Sequence, residues 1–166
     1  MNALETLIGT DTLPIHSHQF EQRFILVRLA QLTFVFPATI VAEILIIERS
    51  KVLALPFYDS AILGVVHHRG QIIPLVSMHQ IVGIPVDPSG ESLTAVRLSG
   101  AAGELAGLGL VVDRTLGSSS PDRLPPDLFS TGLLPDSTKT DTKMRLFRPE
   151  ILGGYLWRPQ RWSPSA

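Results

Sequence analysis

Apolar and polar positions alternate in short runs along most of the chain, with a period near two and turn residues between the runs. Phe24-Ile25-Leu26-Val27-Arg28-Leu29 places Phe24, Leu26 and Arg28 on one face and Ile25, Val27 and Leu29 on the other, as a strand does. Ala30-Gln31-Leu32 is short enough for a hairpin turn, although it lacks the usual Gly or Asn, and Thr33–Phe36 is the returning strand. Pro37 has no N–H to donate and ends that ladder. Ile40–Ile47 is a further apolar run. Val52–Leu55 leads into Pro56 and a connecting loop, Phe57–Ser60. Two β-branched runs, Ala61–Val66 and Ile72–Val76, flank His67-His68-Arg69-Gly70-Gln71. That pattern predicts a hairpin whose reversal uses the positive φ open to Gly70.

Beyond the hairpin, Met78–Val82 reads as one helical turn closed by Gly83, with Pro85 and Pro88 stopping any continuation. Leu93–Leu98 is a strand, Ser99–Glu104 a glycine-rich turn, and Leu105–Asp113 the return strand. The stretch 117–143 is rich in Ser, Pro, Asp and Thr. It reads as a long loop anchored at Leu128-Phe129 and Leu133-Leu134. Met144–Phe147 is one last short strand. The expected organisation is a flexible N-terminal arm at 1–20, a single domain at 21–155 and a Trp/Pro/Arg tail at 156–166. In that tail Trp157 and Trp162 are expected to pack on the body as a lid, with an exposed docking tail as the alternative. The fold class is mainly β with few short helices. The spacing fits two small barrels or a folded sandwich.

Composition narrows the chemistry. Among 166 residues there is no cysteine, so disulfides, thiolate metal sites and cysteine nucleophiles are excluded. A net charge of -1 gives no general attraction to nucleic acid or anionic lipid. No apolar run approaches the roughly 18 residues that span a bilayer, and the first residues do not resemble a secretory signal. The expectation is a cytoplasmic protein. Hydrophobic residues at 45% of the chain suggest a well-filled interior and apolar surface for a partner.

A few positions could carry chemistry. Glu43 is the lone acid in its apolar run and Arg69 the lone guanidinium at the hairpin turn. An unpaired buried charge is costly, so each must be solvated, paired or facing a groove, and the two are candidate partners of each other. Arg69 is then either an interface group or a tether that holds the groove in shape. His67 and His68 are adjacent on a strand and point to opposite faces, so they cannot grip one ion without a bulge. His16 and His18 share a face at i, i+2 but read as part of an exposed tail. Ser77, Ser99 and Ser118–Ser120 lack a G-x-S-x-G setting. Gly107 and Gly109 are not followed by a helix, so they form no dinucleotide fingerprint. No cofactor or metal is implied, and a small metal-dependent or hydrolytic β-barrel enzyme is the reading from another class.

Several of these segments, taken in order, resemble the CheW-like domain family of chemotaxis adaptors. Phe24–Leu29 is similar to its opening strand, and Phe36-Pro37 with Val41-Ala42-Glu43-Ile44 to its V-x-E-I segment. Leu63-Gly64-Val65-Val66, Arg69-Gly70 and Ile73-Pro74-Leu75-Val76 resemble its G-V-x-x-x-R-G-x-x-x-P-V signature, and Gly109–Asp113 its G-x-x-V-D strand. Ser77-Met78 stands where the family usually has Asp-Leu, and Arg145–Leu152 is a short, polar version of its closing strand. The resemblance implies two five-stranded β-barrels packed together with an apolar groove between them. It implies a non-catalytic adaptor whose partners are a CheA-like histidine kinase, through its regulatory domain, a chemoreceptor tip and other CheW-like modules. The family's pilus-motility or other two-component scaffolds are the alternative pathway. It places Val41, Glu43, Gly64, Arg69 and Gly70 in the partner-binding region, and Arg69→Glu is expected to keep the fold and abolish binding.

Overall fold

The computed structural model describes residues 22–87, 89–130 and 143–160. Among the described residues nine strands form two sheets. The strands are β1 (Phe24–Leu29), β2 (Leu32–Pro37), β3 (Val41–Glu48), β4 (Ile62–His68), β5 (Gln71–Ser77), β6 (Ser92–Leu98), β7 (Gly109–Val112), β8 (Arg114–Ser119) and β9 (Met144–Leu146). One sheet has the order β8-β1-β2-β9 and the other β3-β6-β7-β5-β4. A short helix α1 (Met78–Val82) follows β5. The Ser77 side chain accepts a hydrogen bond from the Gln80 amide at its start, and Gly83 ends it at φ 70°. No helix among the described residues is long and apolar enough to cross a membrane.

The alternation read from the sequence sorts the strands onto three cores. Val27, Leu29, Phe34 and Phe36 of the four-stranded sheet face Ile62, Val76, Val96, Leu98, Leu110 and Val112 of the other, making the largest core between the sheets. The intervening residues of the five-stranded sheet, Leu45, Ile47, Val66, Ile73, Leu75, Ala95 and Val111, pack together on its other, concave side. Strands β4 to β7 are thus buried on both faces, which is why they read as near-continuous apolar runs. Phe24, Val35 and Leu124 make a third, smaller core with Leu26, Leu128 and Leu146 against it. Each fully buried Leu or Phe contributes about 1.5–3 kcal/mol of transfer free energy.

The two expected closed five-stranded barrels are not what the hydrogen bonding describes. The first sheet has four strands, and its last pairing, β9 parallel to β2, spans three residues. The second has five strands and is strongly curled, but its edge strands β3 and β4 share no ladder. A single bridge links the segment after β3 to β4: Leu53 N donates to Val65 O at 2.8 Å and Val65 N to Leu53 O at 2.9 Å. The stretch expected as loop from residue 117 also begins differently, because Gly117–Ser119 belong to β8 and pair with β1. All of β8 lies at or near the surface, so it carries no apolar alternation to read. The return strand expected from Leu105 starts at Gly109, since a 3-10 segment at Gly100–Leu105 precedes it.

Polar contacts at Asp113 add to the core in joining the sheets. Asp113 Oδ2 accepts from the Ala30 amide at 2.6 Å and Asp113 Oδ1 lies 2.9 Å from His79 Nε2. The β1–β2 turn, which holds Ala30 at φ 52° where Gly is the usual occupant, is therefore fastened to the end of β7 and to α1. On the C-terminal side the ring of Phe147 stacks on Phe36 with centroids 4.4 Å apart, and Leu152 and Leu156 are buried in the inter-sheet core. Trp157 is 38% exposed, so the tail covers the body through Leu156 more than through that indole. The N-terminal arm, with His16 and His18, and Trp162 lie outside the described residues, as does the loop from 131 to 142.

Candidate functional site

Glu43 sits on edge strand β3 just past a bulge between Val41 and Glu43 that shifts the register against β6. A bulge re-aims the side chains beside it. Directly across that register is Arg97, whose guanidinium donates to Glu43 Oε1 at 2.8 Å and, through its other terminal nitrogen, to the Gln71 side chain on β5. From the opposite edge of the sheet, His68 Nε2 at the end of β4 and Arg69 in the β4–β5 turn each lie 3.7 Å from Glu43 Oε2. One carboxylate therefore meets groups from both edges of the curled sheet and draws its end together.

The expected Glu43–Arg69 pair forms, but the closer partner is Arg97. Arg97 was legible by the reasoning applied to Glu43, since it is a lone charge inside the apolar run Leu93–Leu98. Its relevance was missed because cross-strand register is not written in either strand alone. The side chains of Glu43 and Arg97 are 26% and 21% exposed, whereas that of Arg69 is 80% exposed. Arg97 and Glu43 are thus the half-buried scaffold of the cluster, and Arg69 is its outward group. His67 faces solvent and His68 faces the carboxylate, on opposite sides as strand geometry requires. Metal-holding groups of His, Asp and Glu are absent among the described residues.

The turn that carries Arg69 is unusual. His68 pairs with Gln71, leaving Arg69 and Gly70 as a two-residue loop at φ 48° and 79°. Positive φ at both central positions is the type I′ requirement, and Asn-Gly is its favoured sequence. Arg at the first position carries a backbone penalty of about 1 kcal/mol. Ala30 and Phe57 are the other non-glycine residues at positive φ among the described residues.

The remaining sites fall elsewhere. Val41 packs at the margin of the inter-sheet core. Gly64, at φ 140°, faces the Leu53 carbonyl at the sheet's single closing bridge. Neither touches the Glu43 cluster through an ion pair or side-chain hydrogen bond. A groove of about 530 Å³ opens between β5 and the C-terminal segment. Ile72 and Pro74 form one wall, Leu105 and Leu108 before β7 another, and Leu152 and Trp157 the third. Ile72 is 61% exposed and alternates with Gln71 and Ile73 along β5, so the groove lies on the face of that strand opposite the cluster.

The Arg97 hydrogen bond, aided by the charges of His68 and Arg69, holds the Glu43 carboxyl below its ordinary value of 4.5. A carboxyl more acidic in the folded than in the unfolded chain contributes stability above its unfolded value, and that contribution is lost as pH falls through the folded one. The stability contributed by Glu43 is therefore expected to fall away as pH drops below 4.5, with Glu43→Gln flattening the slope of stability against pH in that range. Chemical denaturation at a series of pH values measures both.

Comparison with known proteins agrees with this architecture. The model of the CheW-like domain family matches residues 23–127. Among solved structures, the scaffolding protein TtCheW from Thermoanaerobacter tengcongensis is similar in fold, with a TM-score of 0.50 and 20% sequence identity. The superposition covers 60% of this chain and 65% of that one, a little under two thirds of its length. No curated protein matches.

Proposed function

The chain belongs to the CheW-like domain family, and from that premise we propose that it is a non-catalytic adaptor coupling chemoreceptors to a CheA-type histidine kinase. The observation that carries this is the outward guanidinium of Arg69, held on a strained turn by a half-buried carboxylate. A planar, five-donor group left largely in solvent suits a carboxylate or backbone acceptor on another protein. On the other face of β5 lies an apolar groove of the size that takes side chains. The curled sheet supplies rigidity, so a partner docking on it meets a preformed surface and pays little ordering entropy.

Binding is the whole mechanism in this reading. Signal passes as a change in how receptor and kinase are held relative to one another. The hydroxyl and imidazole closest to a catalytic appearance have work in the fold: Ser77 caps α1 and His79 pairs with Asp113. The test is co-purification of the chain with the regulatory domain of a CheA-type kinase and with the cytoplasmic helical hairpin of a chemoreceptor. Retention of both, together in one complex, is expected. Failure to retain either would remove the adaptor reading.

A further inference from the structure

On the four-stranded sheet two arginines stand side by side. Arg28 of β1 is directly opposite Arg114 of β8 and, on its other flank, opposite Thr33 of β2. Residues so opposed in antiparallel strands share a face, with Cβ atoms about 4.5–5.5 Å apart. The face is the one turned away from the other sheet, because Arg28 alternates with Val27 and Leu29 and Thr33 with Phe34, which lie in the inter-sheet core. Phe24, Leu26 and Val35 share it. Like charges directly opposed destabilise a sheet. Among the described residues neither guanidinium has an ion pair or a side-chain hydrogen bond, and Arg28 Nε is buried with no partner. A buried donor without a partner costs its desolvation in full. The acid nearest in sequence, Asp113, gives its carboxylate to the Ala30 amide and to His79. Repulsion and the orphaned donor are both relieved by one anion lying over the pair.

We propose that Arg28 and Arg114 bind a phosphate dianion, as free phosphate or as the terminal group of a phosphomonoester. Two adjacent guanidiniums carry two positive charges, which a dianion matches and a carboxylate only halves. Tetrahedral oxygens also present an edge to each planar fork. Arg114 is exposed and Arg28 half-buried, so the pair is open to solvent on one side and anchored on the other. It lies on the other sheet from the Glu43 cluster, and phosphate binding there is independent of the adaptor function.

The test follows the Arg28 Nε–H and the Arg28 and Arg114 amide signals by proton–nitrogen correlation NMR of the isotope-labelled full chain. Ionic strength is held at about 0.15 M and the pH above about 7, where phosphate esters are mostly dianions. Arg28→Lys, which lacks the Nε–H, assigns that signal. Inorganic phosphate is expected to shift these signals saturably, with a dissociation constant of about 1 mM or tighter, and acetate at the same ionic strength to leave them in place. Arg114→Gln, a surface change that also removes the like-charge contact, should keep the unfolding midpoint and weaken phosphate binding by about tenfold or more. Phenyl phosphate is the second probe. Binding of both anions marks a site for monoesters, and binding of inorganic phosphate alone marks one for the free ion; either supports the proposal. Signals unmoved by both, a shift that does not saturate, an equal response to acetate, or an affinity that Arg114→Gln leaves unchanged would each overturn it.

Discussion

Gly64→Ala is expected to destabilise the fold by about 3 kcal/mol or more, the largest effect among glycine-to-alanine changes at the described residues. A Cβ built on Gly64 would lie 2.1 Å from the Leu53 carbonyl oxygen, 2.7 Å from its carbon and 3.0 Å from Ala54 Cα. All three are backbone atoms, so no rotamer change relieves the clash. The main chain would have to separate, and the separation breaks the two hydrogen bonds by which Leu53 and Val65 link the segment after β3 to β4. The φ of 140° adds strain for any side chain. Gly70 is the internal control. Its φ is 79°, but a Cβ there meets nothing within 4 Å, so Gly70→Ala is expected to lose only the conformational part, about 1 kcal/mol. Urea unfolding of the two variants separates them. A Gly64→Ala midpoint equal to that of Gly70→Ala would show that the Leu53–Val65 bridge does not hold the curled sheet.

Arg97→Ala is expected to lower the thermal midpoint by several degrees, on the order of 5 °C. It leaves a half-buried carboxylate without its closest donor and frees the Gln71 side chain on β5. Arg97→Lys should recover only part of the loss, because one ammonium cannot reproduce the fork that serves Glu43 and Gln71 in two directions. Arg69→Ala, by contrast, removes a largely solvated group 3.7 Å from the same carboxylate and should leave the midpoint nearly unchanged. Differential scanning calorimetry on the three variants gives the ranking. Equal losses for Arg97→Ala and Arg69→Ala would mean that the division of the cluster into support and outward group is wrong.

What the chain reveals of itself follows from which residues are buried. The faces of β1, the hairpin around Arg69-Gly70 and the helical turn ended by Gly83 were legible, because each is written in a local alternation or a local breaker. β8 was not, since its exposed Arg114–Ser119 run is polar and its pairing with β1 is made by backbone alone. β9 is too short to show a period, and its parallel pairing with β2 is secured from outside the strand by Phe147. In the site, the misfit of Glu43 and Arg69 in their runs was visible, and so was the need of each for a partner. That Arg97 stands opposite Glu43 depends on a bulge that shifts the register by one place, and such a shift leaves no mark in composition.

The strained turn offers the most direct measurement. Arg69→Asn places the favoured residue of a type I′ hairpin at that position and removes the guanidinium at the same time. Its unfolding midpoint is expected to match or exceed that of the unmodified chain. Its affinity for the kinase regulatory domain or the receptor hairpin, measured by isothermal titration, is expected to fall by about tenfold or more, and Arg69→Glu should fall further. A variant as stable as the parent that binds both partners with undiminished affinity would contradict the assignment of Arg69 as the group this adaptor presents to its partners.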